Sequence, residues 1–138
     1  MIAVIDSSVV LRKLFGEARR LKEWTKIKEA YASQILVVEV NRVIDRCRLS
    51  GDIDDAQVEQ LHQQARQAIK SMEIVALSDR IMDRAAAAMP TVVGTLDAIH
   101  LATAIELTRE LKEPIVLATH DIRLARASRT LGIDVVGA

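Results

Sequence analysis

Two four-residue runs, Ile2-Ala3-Val4-Ile5 and Ile115-Val116-Leu117-Ala118, are apolar without alternation. A strand with one wet face alternates apolar and polar residues, so an unbroken run bounded by turn residues suits a sheet covered on both faces. Such sheets are mainly parallel, and parallel neighbours have to be joined by long crossovers, usually helices. The remaining sequence supplies them. Glu73 to Leu77 and Ile133 to Val136 read as further short strands, with helical patterns between the strands. That alternation predicts an α/β fold with a mainly parallel sheet and helices on both faces.

Local signals mark the helices. Asp6-Ser7-Ser8 ends the first strand and Val9 begins a helical stretch. Residues 17–30 read as a charged helix with Leu21, Trp24 and Ile27 at a three-residue step. Ser33 is a plausible N-cap for a helix carrying Ile35, Leu36, Val40 and Ile44, its apolar face interrupted by Glu39. Ser50-Gly51-Asp52 then breaks the chain before an amphipathic helix over residues 54–70, and the pair reads as a helical hairpin. Ser78 and Asp79 start a helix predicted to run to about Met89, where Pro90 stops it. A helix from Thr95, capped by its hydroxyl, is predicted to run to about Lys112, and one through Leu124 and Ala127 ends at Gly132.

Composition narrows the classes. Phe15, Trp24 and Tyr31 are the only aromatic residues, so the core is aliphatic. Nineteen basic residues balance nineteen acidic ones, so no global basic field advertises a nucleic-acid partner. Cys47 is alone, which rules out an internal disulfide and suits a reducing cytoplasm. No apolar run reaches membrane-spanning length and the N-terminus does not resemble a signal peptide, so the expected location is cytoplasmic.

The stretch from Thr95 to Ala104 is apolar almost all round, which is normal for a helix buried on most sides. Asp97 is its exception. A carboxylate there either serves the positive end of the helix dipole or is paired with a cation, because an unpaired buried charge costs several kcal/mol or more. In an open parallel sheet, strand C-termini and helix N-termini share one edge, where ligands bind. Asp6, Glu39, Asp97 and Asp121 can all reach that edge from four different segments. Carboxylates held together repel unless a cation neutralises them, and hard oxygen ligands without a His or Cys cluster suit Mg²⁺ or Mn²⁺. Each acid also has a plainer role open to it: Asp6 in a turn, Asp121 as a helix cap, Glu39 as a partner for Arg42 or Arg46.

Asp6-Ser7-Ser8-Val9, the segment from Ser33 through Glu39-Val40, Leu96-Asp97-Ala98-Ile99-His100-Leu101-Ala102-Thr103-Ala104, and Thr119-His120-Asp121 with Leu124 together resemble the successive signatures of PIN-domain ribonucleases. More closely they resemble the VapC-like toxins of type II toxin–antitoxin pairs. The resemblance runs through essentially the whole chain. It implies a three-layer α/β/α PIN-like domain over residues 1–138, with a central, mainly parallel sheet of four or five strands. It also implies a Mg²⁺- or Mn²⁺-dependent endoribonuclease that cleaves RNA phosphodiesters with a metal-activated water. The expected partners are an RNA substrate, a cognate antitoxin and a second copy of the chain, through the helical region. Asp6, Glu39, Asp97 and Asp121 match the acidic metal-site positions, with Ser8 and Thr119 expected to orient ligands from behind. Many relatives carry a basic residue where this chain has Gly94.

Arg12, Arg42 and Arg123 are the candidate contacts to RNA phosphates, with Lys13, Arg46 and Arg126 as further basic residues for such a rim. So few aromatics leave little for bases to stack on. His100 is expected to be a half-buried structural residue, His120 an exposed loop residue, and Trp24 and Phe15 core or interface anchors. Two other classes stay open: a catalytically silent PIN-fold module that binds RNA or protein, and a receiver-like Mg²⁺-binding signalling domain. The receiver reading lacks a lysine after the last strand.

Overall fold

The computed structural model describes residues 1–138. Its elements follow in the order β1 (Ile2–Ile5), α1 (Ser7–Leu14), a 3₁₀ turn (Lys22–Lys26), β2 (Glu29–Ser33), α2 (Ile35–Leu49), α3 (Asp55–Lys70), β3 (Glu73–Val75), α4 (Asp79–Ala86), α5 (Thr95–Leu111), β4 (Ile115–Ala118), α6 (Ile122–Thr130) and β5 (Asp134–Val136). The five strands form one sheet in the order β3-β2-β1-β4-β5, and every pairing is parallel. This is a three-layer α/β/α arrangement, as the apolar runs require.

β1 shows why those runs do not alternate. Ala3 and Ile5 join one core cluster with Val9, Leu36, Val40, Ile44 and Leu61, from α1, α2 and α3. Val4, pointing the other way, joins a second cluster with Leu101, Leu107, Leu124 and Ala127, from α5 and α6. Both faces are covered, so both sets of side chains are apolar. From β1 the chain winds outward through β2 and β3. It then crosses back over the other face by α4 and α5 to enter β4 beside β1. The direction of winding therefore reverses between β1 and β4, and their C-terminal ends flank the crevice that such a reversal opens.

Four local expectations need correction. Residues 17–30 are not an α-helix. The three-residue step of Leu21, Trp24 and Ile27 is the period of a 3₁₀ turn, in which i and i+3 eclipse, and all three pack on the first cluster. Glu29–Ser33 is instead a strand, paired through Ile2↔Glu29 and Val4↔Tyr31. Its alanines and glutamate have weak strand preference, so pairing with β1 rather than local sequence determines it. Ser33 is not the N-cap of α2; it ends β2 fully buried, Gln34 occupies the cap position, and the Ser33 hydroxyl accepts from the Ile35 N–H at 3.3 Å. Thr95 lies inside α5, and Gly94 takes the cap position with no side-chain cap bond. Finally, α4 ends at Ala86, ahead of Pro90. The remaining helix signals hold, including a capping box of Asp54 with Gln57 on α3 and Gly132 at φ +76° after α6.

Candidate active site

Asp6 stands at the end of β1, where its N–H bonds the Ala118 carbonyl of β4 at 2.9 Å. It is 3% exposed. One carboxylate oxygen accepts from the Ser8 hydroxyl at 2.5 Å and from the Thr119 hydroxyl at 2.8 Å. These hydroxyls also tie down the loop after β4: Thr119 Oγ1 accepts from the Asp121 N–H at 2.9 Å and Ser8 Oγ from the His120 N–H at 3.0 Å. Both residues thus make the contacts expected of groups that orient Asp6.

Glu39 reaches the same crevice from the second turn of α2. It pairs with neither Arg42 nor Arg46. One of its oxygens accepts from Ser7 Oγ at 3.1 Å, and the other lies 2.5 Å from His100 Nε2. His100 Nε2 is also 3.5 Å from the free oxygen of Asp6. His100 is fully buried, not half-buried. Burial pushes its pKa down, but the Glu39 hydrogen bond and the charges of Asp6, Glu39 and Asp97 outweigh that and hold it above the usual histidine range. The imidazolium is a built-in cation among the acids.

Asp97, three residues before His100 on α5, is half-buried. Burial pushes its pKa up to about 6, Asp121 and Asp6 add to this by repulsion, His100 opposes it, and Glu39 raises it further. Asp97 therefore feels the charges of the other three acids. Asp121 caps α6, one oxygen accepting from the N–H groups of Arg123 at 2.7 Å and Leu124 at 2.9 Å. The helix-cap role and the crevice position coexist, because a carboxylate has a second oxygen to spare.

No three acidic, imidazole or thiolate side chains stand close enough to ligate one ion together. The four carboxylates expected to hold one or two ions thus form no closed ligand set of three or more side chains here. The donor chemistry nevertheless fits Mg²⁺, which dehydrates reluctantly and commonly uses one or two carboxylates while keeping several waters. The donor set is the observation behind that fit: Asp6 and Asp121 each spend one carboxylate oxygen on hydrogen bonds and keep the other for an ion.

A groove of about 410 Å³ opens from Ser7 and Glu39 between α1, α2 and the start of α5, with Leu11, Val38 and Leu96 along it and Arg42 and Arg46 at its rim. The three candidate phosphate contacts differ in freedom. Arg42 is held by Asp45 at 2.8 Å. Arg12 lies 3.7 Å from Glu17 and donates to the Arg19 carbonyl. Arg123 is exposed in the first turn of α6, beside Asp121. Sequence reasoning missed Ser7 and undervalued His100. The available signal was His100 falling one turn after Asp97, the only polar residue between Asp97 and Thr103 on that apolar helix.

The sequence pattern of the PIN domain family matches residues 3–130. Ribonuclease VapC46 of Mycobacterium tuberculosis is 38% identical over 71 residues, which is 51% of this chain and 52% of that protein. The chain thus spans about half the length of that relative. Ribonuclease VapC47 of the same organism is 27% identical over 135 residues, covering 93% of this chain and 90% of the relative. Among solved structures, the fold is similar to VapBC2 from Rickettsia felis bound to a promoter DNA fragment (TM-score 0.67, 12% identity, 98% of this chain and 97% of that one). It is also similar to FitAcB from Neisseria gonorrhoeae (TM-score 0.70, 16% identity, 97% and 96%).

Proposed function

The chain belongs to the PIN domain family, and from that premise we propose that it is a Mg²⁺- or Mn²⁺-dependent endoribonuclease, the toxin of a toxin–antitoxin pair. The observation that carries this reading is the meeting of Asp6 and Glu39 on His100 Nε2, at 3.5 and 2.5 Å, at the point where the sheet reverses its winding, with Asp97 three residues before His100 on α5. The names of the relatives support it, since both are ribonucleases. A divalent ion, when bound, supplies charge to the acids and polarises water and phosphoryl oxygens.

The protein's own groups do the positioning. Ser8 and Thr119 fix the Asp6 carboxylate, so that its second oxygen faces the crevice without rotamer freedom to lose. Ser7 and His100 do the same for Glu39. Asp121 spends one oxygen on the α6 cap and keeps the other for the crevice. Arg123 is the free cation best placed to hold a phosphate beside Asp121.

The antitoxin we assign to the aliphatic groove beside Glu39, where Val38, Leu49 and Leu96 are 53%, 67% and 45% exposed. A homodimer in the cytoplasm, formed through the helical region from a single domain, completes the reading. Digestion of RNA with and without Mg²⁺ or Mn²⁺ tests it, with Asp97→Asn as the control. Metal-dependent cleavage that the substitution abolishes supports it; a folded protein with no cleavage under any divalent ion favours a silent RNA- or protein-binding module.

A further inference from the structure

A second site lies beside the acidic one, built from the segment between α1 and β2. Leu21 is buried and pins this loop to the core, which throws its neighbours Arg19, Arg20 and Lys22 outward. Arg19 sits at φ +60°, and Arg12 donates to its carbonyl. None of Lys13, Arg19, Arg20 or Lys22 has a carboxylate within ion-pair distance. Three adjoining cavities share Arg20. One of about 420 Å³ runs between Arg19, Lys22 and His120, the residue before Asp121, with Glu23 the one acidic side chain in its lining. The others, of about 140 and 270 Å³, lie around Trp24 and Lys13, and the larger is closed by Gln64 and Gln67 of α3. His120 Nε2 is buried at the head of this trough without a hydrogen-bond partner.

We propose that this trough takes a single-stranded segment of the RNA substrate next to the cleaved bond. Arg19, Arg20 and Lys22 hold its phosphates, Trp24 stacks one base, and Gln64 and Gln67 meet that base's edge. The proposal rests on the nuclease reading for its choice of ligand. Unpaired cations along a groove are what a phosphate backbone selects, and a base needs an aromatic face and hydrogen-bonding edges. Trp24 is the only tryptophan in the chain, and here it stands with both remaining requirements around it. The Lys13 ammonium lies over the indole, 4.8 Å from its centroid, so a base that stacks on that face displaces it. Lys13 is exposed, and an exposed cation–π contact is worth only about 0.5–1 kcal/mol, which a phosphate contact of the same ammonium offsets.

The sole tryptophan is its own probe. A ten-nucleotide single-stranded RNA of mixed sequence is titrated into the full chain in EDTA, so that binding is read without cleavage. Saturable quenching of Trp24 emission is the expected result. Arg20→Ala and Gln67→Ala, both at exposed positions, weaken the RNA about 5- to 10-fold with the indole retained. Arg20→Ala also makes the dependence of log affinity on log salt shallower by about 0.7, the loss of one phosphate contact on a single strand. Unchanged emission while labelled RNA binds by anisotropy overturns the proposal, as does wild-type affinity in both variants. The two readings fail separately: quenching without cleavage under any divalent ion defeats the nuclease and spares the trough, whereas cleavage with Trp24 silent defeats the trough alone.

Discussion

The acidic crevice and the basic trough meet at His120, yet they are assembled in opposite ways. The crevice draws its groups from β1, α2, α5 and the loop after β4, and Thr119 reaches Asp6 across 113 positions of sequence. Asp6, His100 and Thr119 are buried and tied to their neighbours by hydrogen bonds, while Glu39, Asp97 and Asp121 are partly buried. The trough comes mostly from residues 13–24, its four cations are exposed, and Glu23 is the one acidic side chain in its lining. Like charges in water are screened and cost little. Like charges in a buried crevice are not, so the acids are held together by the fold at the expense of stability. The difference teaches that the crevice is where substitutions trade activity against stability, while trough substitutions touch affinity alone.

The largest effect should separate the two regions outright. Asp97→Asn or Asp6→Asn should lower RNA cleavage on the order of 10²- to 10³-fold, as removal of one preorganised electrostatic group does. Neither should alter RNA binding in the trough. Cleavage rates with Mn²⁺, set beside RNA affinity measured in EDTA, check both halves. Equal losses in the two measurements would merge the regions into one.

His100→Ala should come next, at about 3 kcal/mol of stability, because it strips a buried cation from Glu39 and Asp6 and leaves the carboxylates facing each other. Urea unfolding reads it. A loss below about 1 kcal/mol would mean that water replaces the imidazole freely and the crevice is wetter than its burial indicates.

This contrast also decides what was legible beforehand. Asp6 and Asp121 could be read from position alone, the first directly after a strand and the second three residues after one, each strand declared by its own apolar run. Asp97 could be read as the one acid at the start of an apolar helix. The resemblance joined them to Glu39. What could not be read was the segment 17–33, since a three-residue apolar step fits a distorted α-helix as well as a 3₁₀ turn. β2 carries no apolar run to announce it. That misreading hid the trough, whose cations appear in sequence as ordinary solvated charges of an amphipathic helix. His100 was undervalued for a related reason: sequence shows its spacing from Asp97, but only the fold shows Glu39 arriving opposite it.

A pH series sharpens the electrostatic side. Asp97 titrates near 3.9 in an unfolded chain and at about 6 here. Its folded pKa is raised, so its contribution to stability is present in full below pH 4 and is lost as pH rises through 6. Discounted for its half exposure, the loss is about 1–2 kcal/mol. His100, also raised, contributes below its unfolded value near 6.5 and loses that contribution as pH rises through its higher folded pKa. Both effects have the same sign: the metal-free protein should lose stability from pH 4 to pH 8. Asp97→Asn should remove the lower part of that slope and leave the upper. Thermal unfolding of both proteins in EDTA checks it, and a parallel pair of curves would mean Asp97 is not the crowded acid.

The smallest effect concerns Gly94, at the cap of α5. Its φ of −74° is open to any residue, and an added Cβ would meet only Asp97 Oδ2, at 3.9 Å. Glycine is not required there by backbone or by space. A lysine introduced at this position would oppose the helix dipole by about 0.3–1 kcal/mol, independent of pH in the range of interest. It would also gain an exposed pairing with Asp97 worth about 0.2–1 kcal/mol, only when Asp97 is ionised. The two nearly cancel above pH 7, whereas at pH 5, where Asp97 is largely protonated, the dipole penalty stands alone. Gly94→Lys should therefore melt slightly lower than wild type at pH 5 and level with it at pH 8, and bring RNA closer to the acids without touching the trough. A shift of equal size at both pH values would show that Asp97 does not gain charge between them, and the crowding inferred for the crevice would lose its support.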